Sequence, residues 1–516
     1  MKSSHQLSRE TILFLTFAFL FGATVRIFPL LNTNFPIFDG GMFYTMIRDL
    51  QSSHFALPAF TTYNHSDIPY AYPPLAFYIT GFIDSTLHVS LISLIQWQPV
   101  VTNLLVLPVF FFFVRAIVHS DDKAALATLI FALTPNSYWW QIVGGGLTRA
   151  LGALFFIFTA LCAERMYRER KPIWVIATAL CGAAVVLSHP EWALQAVFVI
   201  VIFWFFRGRD RQGFFFLVMV GLGIVLFTSP WWITVTQLHG FDVFIQASRA
   251  TESRWLFLTT PLTLGFTSEP VPIIAVLAFC GAFIHLARKD FLLPAWAFLA
   301  IAVDPRGGLP ASNFPFSIMA MTMLTEGILP LLLQTGLKDS ALAWTNSLNT
   351  AIGRIFWGTF IFIFLYGAYT VSIGLSRQSL SVEQMDATQW VAEHTTSTDH
   401  FLILDDYSNP LQSPLREWFP TLTERRSINT VQGSEWLSGD AGYLSQMMRN
   451  KKLHQCLYMD FQCINGLYDS YDFILLSTGQ PNGSNYTFPL LLSIESSNDF
   501  TLAYETTGVK IFKVNK

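Results

Sequence analysis

Charge is what this chain has least of. Asp, Glu, Lys and Arg make up 13% of its 516 residues, against about 25% in a soluble domain. Together with apolar runs of about 20 residues, that scarcity excludes an ordinary soluble protein and implies a polytopic membrane protein. Cysteine is scarce too: there are five, none in a metal-binding spacing. Cys162, Cys181 and Cys280 fall in apolar runs and read as inert core. Cys456 and Cys463 fall in a polar tail and can pair if that tail is extracytoplasmic. There is no internal repeat of the kind many transporters show, and no low-complexity tract. A net charge of −3 carries no nucleic-acid signal, and no nucleic-acid partner is expected. The first apolar run lacks a small-residue cleavage site and is long enough to span, so it reads as a signal anchor.

What the chain does have is a regular succession of apolar runs. They fall at 11–31, 97–118, 123–142, 147–164, 172–188, 191–206, 213–236, 270–287, 291–303, 313–335 and 353–375. The linkers around Arg165–Lys171, Arg207–Arg211 and Arg288-Lys289 are basic, as is the N-terminus with Lys2 and Arg9. The positive-inside rule puts them in the cytoplasm. The alternation then places the loop 32–96, the turns near 142–147, 188–191 and 304–312, the segment 237–269, and everything after about 376 on the opposite side. The parity closes only if 72–90, which opens on Pro73-Pro74, makes no net crossing. Such a re-entrant or juxtamembrane element is tolerated where protein or water covers it. The expectation is a helical membrane domain over 1–375 with about eleven spans, in the cytoplasmic membrane. An extracytoplasmic α/β domain over 376–516 follows, with strand signals at Phe401–Leu404 and Phe473–Leu476. Asn64, Asn482 and Asn485 lie in N-x-S/T triplets, a weak sign of outer exposure.

The polar residues that stand out lie at span ends on one side. Asp39 follows the first span, and Tyr72-Pro73-Pro74-Leu75 comes about thirty residues later. Arg149 follows Gly144-Gly145-Gly146; His189-Pro190-Glu191-Trp192 joins two spans; Asp304-Pro305-Arg306 ends another. Ionisable residues are costly near lipid and tend to be functional. Each also has a structural reading. Asp39 can cap the stretch Met42–Leu50, Arg149 can snorkel to headgroups, and His189 and Glu191 can form a turn at a helix start. Arg306 can pair with Asp304, and the glycines can be either a flexible turn or a phosphate cradle.

On these residues the chain resembles the GT-C glycosyltransferases, polytopic enzymes that use polyprenyl-linked sugars. The resemblance rests on Asp39 in the first outer loop, the Tyr72–Leu75 element, the number of spans and an outer C-terminal domain. Tyr72 stands where the aminoarabinose-transferase-like branch has Lys. Asp39-Gly40 stands where the protein-O-mannosyltransferase branch has Asp-Glu. Trp231-Trp232-Ile233 is not the oligosaccharyltransferase W-W-D-Y-G signature. The resemblance implies inverting transfer of a sugar from a polyprenyl-phosphate donor to a glycan, lipid or protein acceptor. Asp39 would be the general base. Arg149 and Arg306 would steady the leaving phosphate, with Tyr72 among the substrate- or phosphate-binding residues, His189 on the phosphate or orienting the sugar, and Glu191 on sugar hydroxyls. It implies no metal and no cofactor beyond the lipid-linked donor. The alternatives from other classes are a transporter or lipid flippase, and a non-catalytic envelope protein.

Overall fold

The computed structural model describes residues 7–249, 273–304, 307–334, 344, 347–468, 470–478 and 488–515. The chain opens with helix α1 (Arg9–Leu31), whose N-terminus Ser8 caps by accepting from Thr11 N. The first loop folds into α2 (Gly41–Ser52), a hairpin of β1 (Phe60–Thr61) and β2 (Ile68–Pro69), and α3 (Leu75–Leu87). Next come α4 (Leu91–Val118), α5 (Asp121–Leu133), α6 (Gly146–Glu169), α7 (Pro172–Val186), α8 (Pro190–Arg207), α9 (Arg211–His239) and the short α10 (Asp242–Arg249). The helices Ile273–Ala287, Leu292–Val303, Gly308–Leu332 and Ala351–Ser376 complete the bundle.

Among the described residues, seven helices are long and apolar enough to cross a membrane, and four more are apolar but shorter. Every apolar run of the sequence carries a helix. The protein is an α-helical polytopic membrane protein with a C-terminal α/β domain. One run differs from expectation. The run 123–142 is helical only to Leu133, then passes through a 3-10 turn at Pro135–Ser137. Residues Ala124–Leu133 are buried on every side by neighbouring helices, so this short helix need not span hydrocarbon by itself. The Pro73-Pro74 segment behaves as a separate 13-residue helix, α3, with one face buried and Phe82 and Leu87 exposed on the other.

A charge lies inside the first span. Arg26 is fully buried and donates to Asn103 Oδ1 (2.6 Å), Gly22 O (3.0 Å), Ala132 O (2.7 Å) and Ser137 Oγ (3.1 Å), with its guanidinium 4.7 Å from the Tyr138 ring centroid. An arginine within a span costs up to about 2.5–3.5 kcal/mol on insertion scales, the value at the helix centre. These partners offset that cost and pin α1 to α4 and to the turn after α5.

The C-terminal domain holds a five-stranded sheet in the order β4-β3-β5-β7-β6 (Arg426–Ser427, His400–Leu404, Phe473–Ser477, Val509–Val514, Phe500–Thr506). β4, β3 and β5 run parallel, and β7 is antiparallel to both of its neighbours, β5 and β6. β5 is buried along its whole length and β3 from Phe401 to Leu404, as expected for central parallel strands covered on both faces. Cys456 and Cys463 are joined by a disulfide, with Cα atoms 5.6 Å apart.

The first loop fastens this domain to the bundle. Asn64 Nδ2 donates to Ser427 O (2.9 Å), and Ser427 N donates to Asn64 Oδ1 (2.7 Å). The buried amide of this N-x-S triplet is thus occupied by the β4 edge, so the triplet gives no outer-exposure signal. The Asn482 and Asn485 triplets lie outside the described residues. Tyr63 Oη donates to Glu417 O (2.7 Å), and Thr421 Oγ1 to Gly41 O (2.8 Å).

Candidate active site

The link from α1 to α2 carries Asp39 between Phe38, at φ 54°, and Gly40, at φ 124°. Two left-handed residues in three make a sharp corner, and the second needs glycine. The corner is tied from two directions: Phe38 N donates to Gln378 O (2.7 Å) and Gly144 N to Ile37 O (3.0 Å). Asp39 is not the cap of α2. That cap is Gly40, without a side-chain bond. The Asp39 carboxylate instead accepts from Gly145 N at Oδ1 (2.7 Å) and from Arg149 Nη2 at Oδ2 (3.0 Å) and Oδ1 (3.3 Å).

The glycine triplet therefore has a definite use. A Cβ at Gly144 would overlap the Asp39 backbone, and one at Gly145 would overlap its carboxylate. Here Gly144 and Gly145 form a cradle for Asp39 and Gly146 packs on the Gln141 carbonyl, rather than making a flexible turn. Arg149, at the start of α6, is buried rather than turned to the rim. Its Nε donates to Trp140 O (3.0 Å) and its guanidinium lies 4.3 Å from the Trp140 ring centroid, a favourable cation–π geometry. Its Nη1 carries no hydrogen bond among the described residues.

Tyr72 approaches from the other side. Its hydroxyl is 3.2 Å from Thr148 Oγ1, and its ring packs against Phe43, His189 and Trp436. His189 is buried and caps α8, with Glu191 in the first turn of that helix. The Pro-Pro break meets this turn directly, since Leu75 N donates to Leu187 O (2.9 Å). Arg306 lies outside the described residues; its neighbour Asp304 is present, and Gly307 sits between Asp304 and Glu191.

Asp39, Tyr72, Arg149, His189 and Glu191 line a single cavity of about 540 Å³, together with Asp304. Its further wall is apolar, with Val186, Leu194, Trp231 and Phe244 from α7 to α10. Its roof comes from the C-terminal domain: Glu417, Gln432, Glu435 and Trp436. These four carry no signal in the sequence, because charged and amide residues, or a lone tryptophan, are unremarkable in a polar domain. Glu417 is fully buried. Its Oε1 accepts from Gly40 N (3.3 Å) and Met42 N (3.1 Å), so the C-terminal domain caps α2 from a distance. Its Oε2 has no partner among the described residues.

Burial, reinforced by the nearby Asp39 charge, pushes the Glu417 carboxyl up to about 8; its two backbone N–H bonds pull the other way without prevailing. A carboxyl raised on folding binds more protons in the folded state between the ordinary Glu range and about pH 8. Stability is then highest at the acid end of that window and declines as pH rises through it. We expect the docking of the C-terminal domain on α2 to weaken from about pH 5 to pH 8.5. Glu417→Gln, which keeps the Oε1 acceptor, should flatten that slope. Hydrogen exchange of the α2 amides against pH checks this, and an unchanged slope in the variant would assign it to other groups.

No family model matches the chain, and no curated protein matches it. Solved structures do. The chain is similar to the archaeal oligosaccharyltransferase AglB from Archaeoglobus fulgidus, solved with an inhibitory peptide and a dolichol-phosphate. The TM-score is 0.55 at 11% identity, over 91% of this chain and 69% of that one. It is similar to ArnT from Cupriavidus metallidurans bound to undecaprenyl phosphate, with a TM-score of 0.53 at 12% identity over 97% of each chain. The mycobacterial arabinofuranosyltransferase AftD matches at a TM-score of 0.55 and 12% identity, over 99% of this chain and 40% of that longer one. The chain shares the GT-C fold of these structures.

Proposed function

We propose that the protein is a membrane glycosyltransferase that moves a sugar from a polyprenyl-phosphate donor to an acceptor hydroxyl. The observation that carries this reading is the cavity. A carboxylate held by Gly145 and Arg149 faces a chamber whose far wall is apolar, which suits a substrate with a polar head and a prenyl tail. The fold supports it, because AglB and ArnT were solved with dolichol-phosphate and undecaprenyl phosphate.

In the proposed step the acceptor oxygen attacks the anomeric carbon, and its proton passes to the Asp39 carboxylate. The bond from that carbon to the phosphate oxygen breaks, and its electron pair leaves on the phosphate with inversion at carbon. Arg149 orients Asp39 through Nη2, which leaves Nη1 for a phosphate oxygen. Arg306 remains a candidate for the second cation. His189 and Tyr72 would hold the phosphate end, and Glu191 would bind sugar hydroxyls. The basic linkers argue for the cytoplasmic membrane with the C-terminal domain outside, and the Cys456–Cys463 disulfide suits an oxidising compartment.

Orientation is testable by single cysteines at exposed positions. Asp67→Cys and Asp440→Cys should react with an impermeant maleimide on intact cells, and Arg209→Cys only after permeabilisation. The reverse pattern would move the cavity to the cytoplasmic side. Release of labelled sugar from a polyprenyl-phosphate donor by purified protein in lipid tests the activity, and no release with any common donor would sink the reading.

A further inference from the structure

A second cavity, of about 390 Å³, lies between the C-terminal domain and the first loop, within the usual range of ligand pockets, about 300–1,000 Å³. Ser66 and Ile68 line it from the loop, and Arg426, Gln446 and Tyr468 from the domain. Gln432 lines both this cavity and the catalytic one. The turn from Gln432 to Leu437 is therefore the partition: Glu435 and Trp436 belong to the catalytic side, Ser434 and Leu437 to the other.

The lining is short of partners. Gln432 Oε1 and Nε2, Gln446 Oε1 and the Tyr468 hydroxyl are buried with no hydrogen bond among the described residues. Native proteins rarely leave such groups unmade. The orphans mix donors and acceptors on uncharged groups. A phosphate or carboxylate would pair with Arg426 and Arg449 but leave the orphaned acceptors unmet, and a lipid chain would satisfy none of these groups. A hydroxyl both donates and accepts, and a saccharide presents hydroxyls in rows. A peptide would most simply add to the exposed edge of β4. That edge is only two residues long, and Asn64 already takes both backbone groups of Ser427.

We propose that this cavity is a subsite for a saccharide acceptor, holding sugar units beyond the one whose hydroxyl reacts at Asp39. The acceptor class is thereby a glycan, threaded past Gln432 from the first loop. The proposal rests on the glycosyl-transfer reading above, but its test does not need turnover.

The full chain in nanodiscs, without donor, is presented to neutral and acidic oligosaccharides of defined length and to Ser/Thr-rich peptides. Oligosaccharides should bind at least about tenfold tighter than monosaccharides and than any peptide. Tyr468→Phe and Gln446→Leu, made singly and together, should each weaken oligosaccharide binding, the pair by about tenfold or more. Arg426 is exposed, so Arg426→Ala keeps the fold and should weaken acidic oligosaccharides selectively. Peptide binding in preference, no saccharide binding, or binding indifferent to these changes overturns the subsite. Sugar release from the donor to water, measured separately, reports on the catalytic reading alone. Release that persists while saccharide binding is absent removes the subsite and leaves the enzyme.

Discussion

Asp39→Asn should reduce sugar transfer by about 10²–10⁴-fold, the usual worth of a positioned general base, while the protein folds and still binds the lipid donor. The variant isolates the chemistry because Asp39 has no capping role. Gly40 occupies the cap of α2, and Glu417 accepts from the first N–H groups. An asparagine oxygen can still accept from Gly145 N, and its size is unchanged. What it loses is the charge paired with Arg149 and the basicity. Some stability goes with that pair, whose side chains are 11% and 15% exposed and thus only partly screened. The measurement is transfer of labelled sugar by purified protein in lipid, with melting temperature and donor affinity followed in parallel. Equal turnover in variant and wild type would make the carboxylate a structural anchor only. Collapse of folding would show that the ion pair, rather than the cap, is its structural role.

The membrane domain was readable because apolar runs are the strongest signal a chain can carry, and each held a helix. Asp39, Arg149, His189 and Glu191 were readable for the converse reason: in so uncharged a chain, polar residues at span ends stand out. Their meeting in one cavity follows from all of them lying at span ends on the same side of the bundle. Arg26 carries the same signal, a charge within an apolar run, yet its bonds pin helices rather than line the cavity. Glu417, Glu435 and Gln432 were not legible. Their domain is ordinarily polar, and only its docking on α2 brings them over the site. The glycine triplet shows the limit more sharply. Three glycines between spans read as a flexible turn or a phosphate cradle, and tertiary structure chooses a third use, close packing of Gly144 and Gly145 against Asp39.

That choice yields the second large effect. Gly145→Ala places a methyl group where the Asp39 carboxylate now lies. The backbone at Gly145 is ordinary for any residue, at φ −68°, so alanine brings no conformational strain. The neighbouring Asp39 corner must give way, and the bond from Gly145 N to Oδ1 is the first casualty. A misplacement of about 1 Å at a reacting group can cost about 10²-fold. Turnover should fall by about that amount. The methyl also meets Arg149 Nη2, so donor affinity should drop modestly through the phosphate contact, with the apolar wall untouched and the melting temperature held. A merely structural defect would lower donor affinity and melting temperature together. The decisive comparison is the double variant with Asp39→Asn. If Gly145 acts only by positioning the base, its substitution should cost little further once the base is gone, so the two effects fall well short of additive. Additive losses would mean that the Gly145 N–H serves some group other than Asp39, and the cradle would have to be reassigned to the substrate.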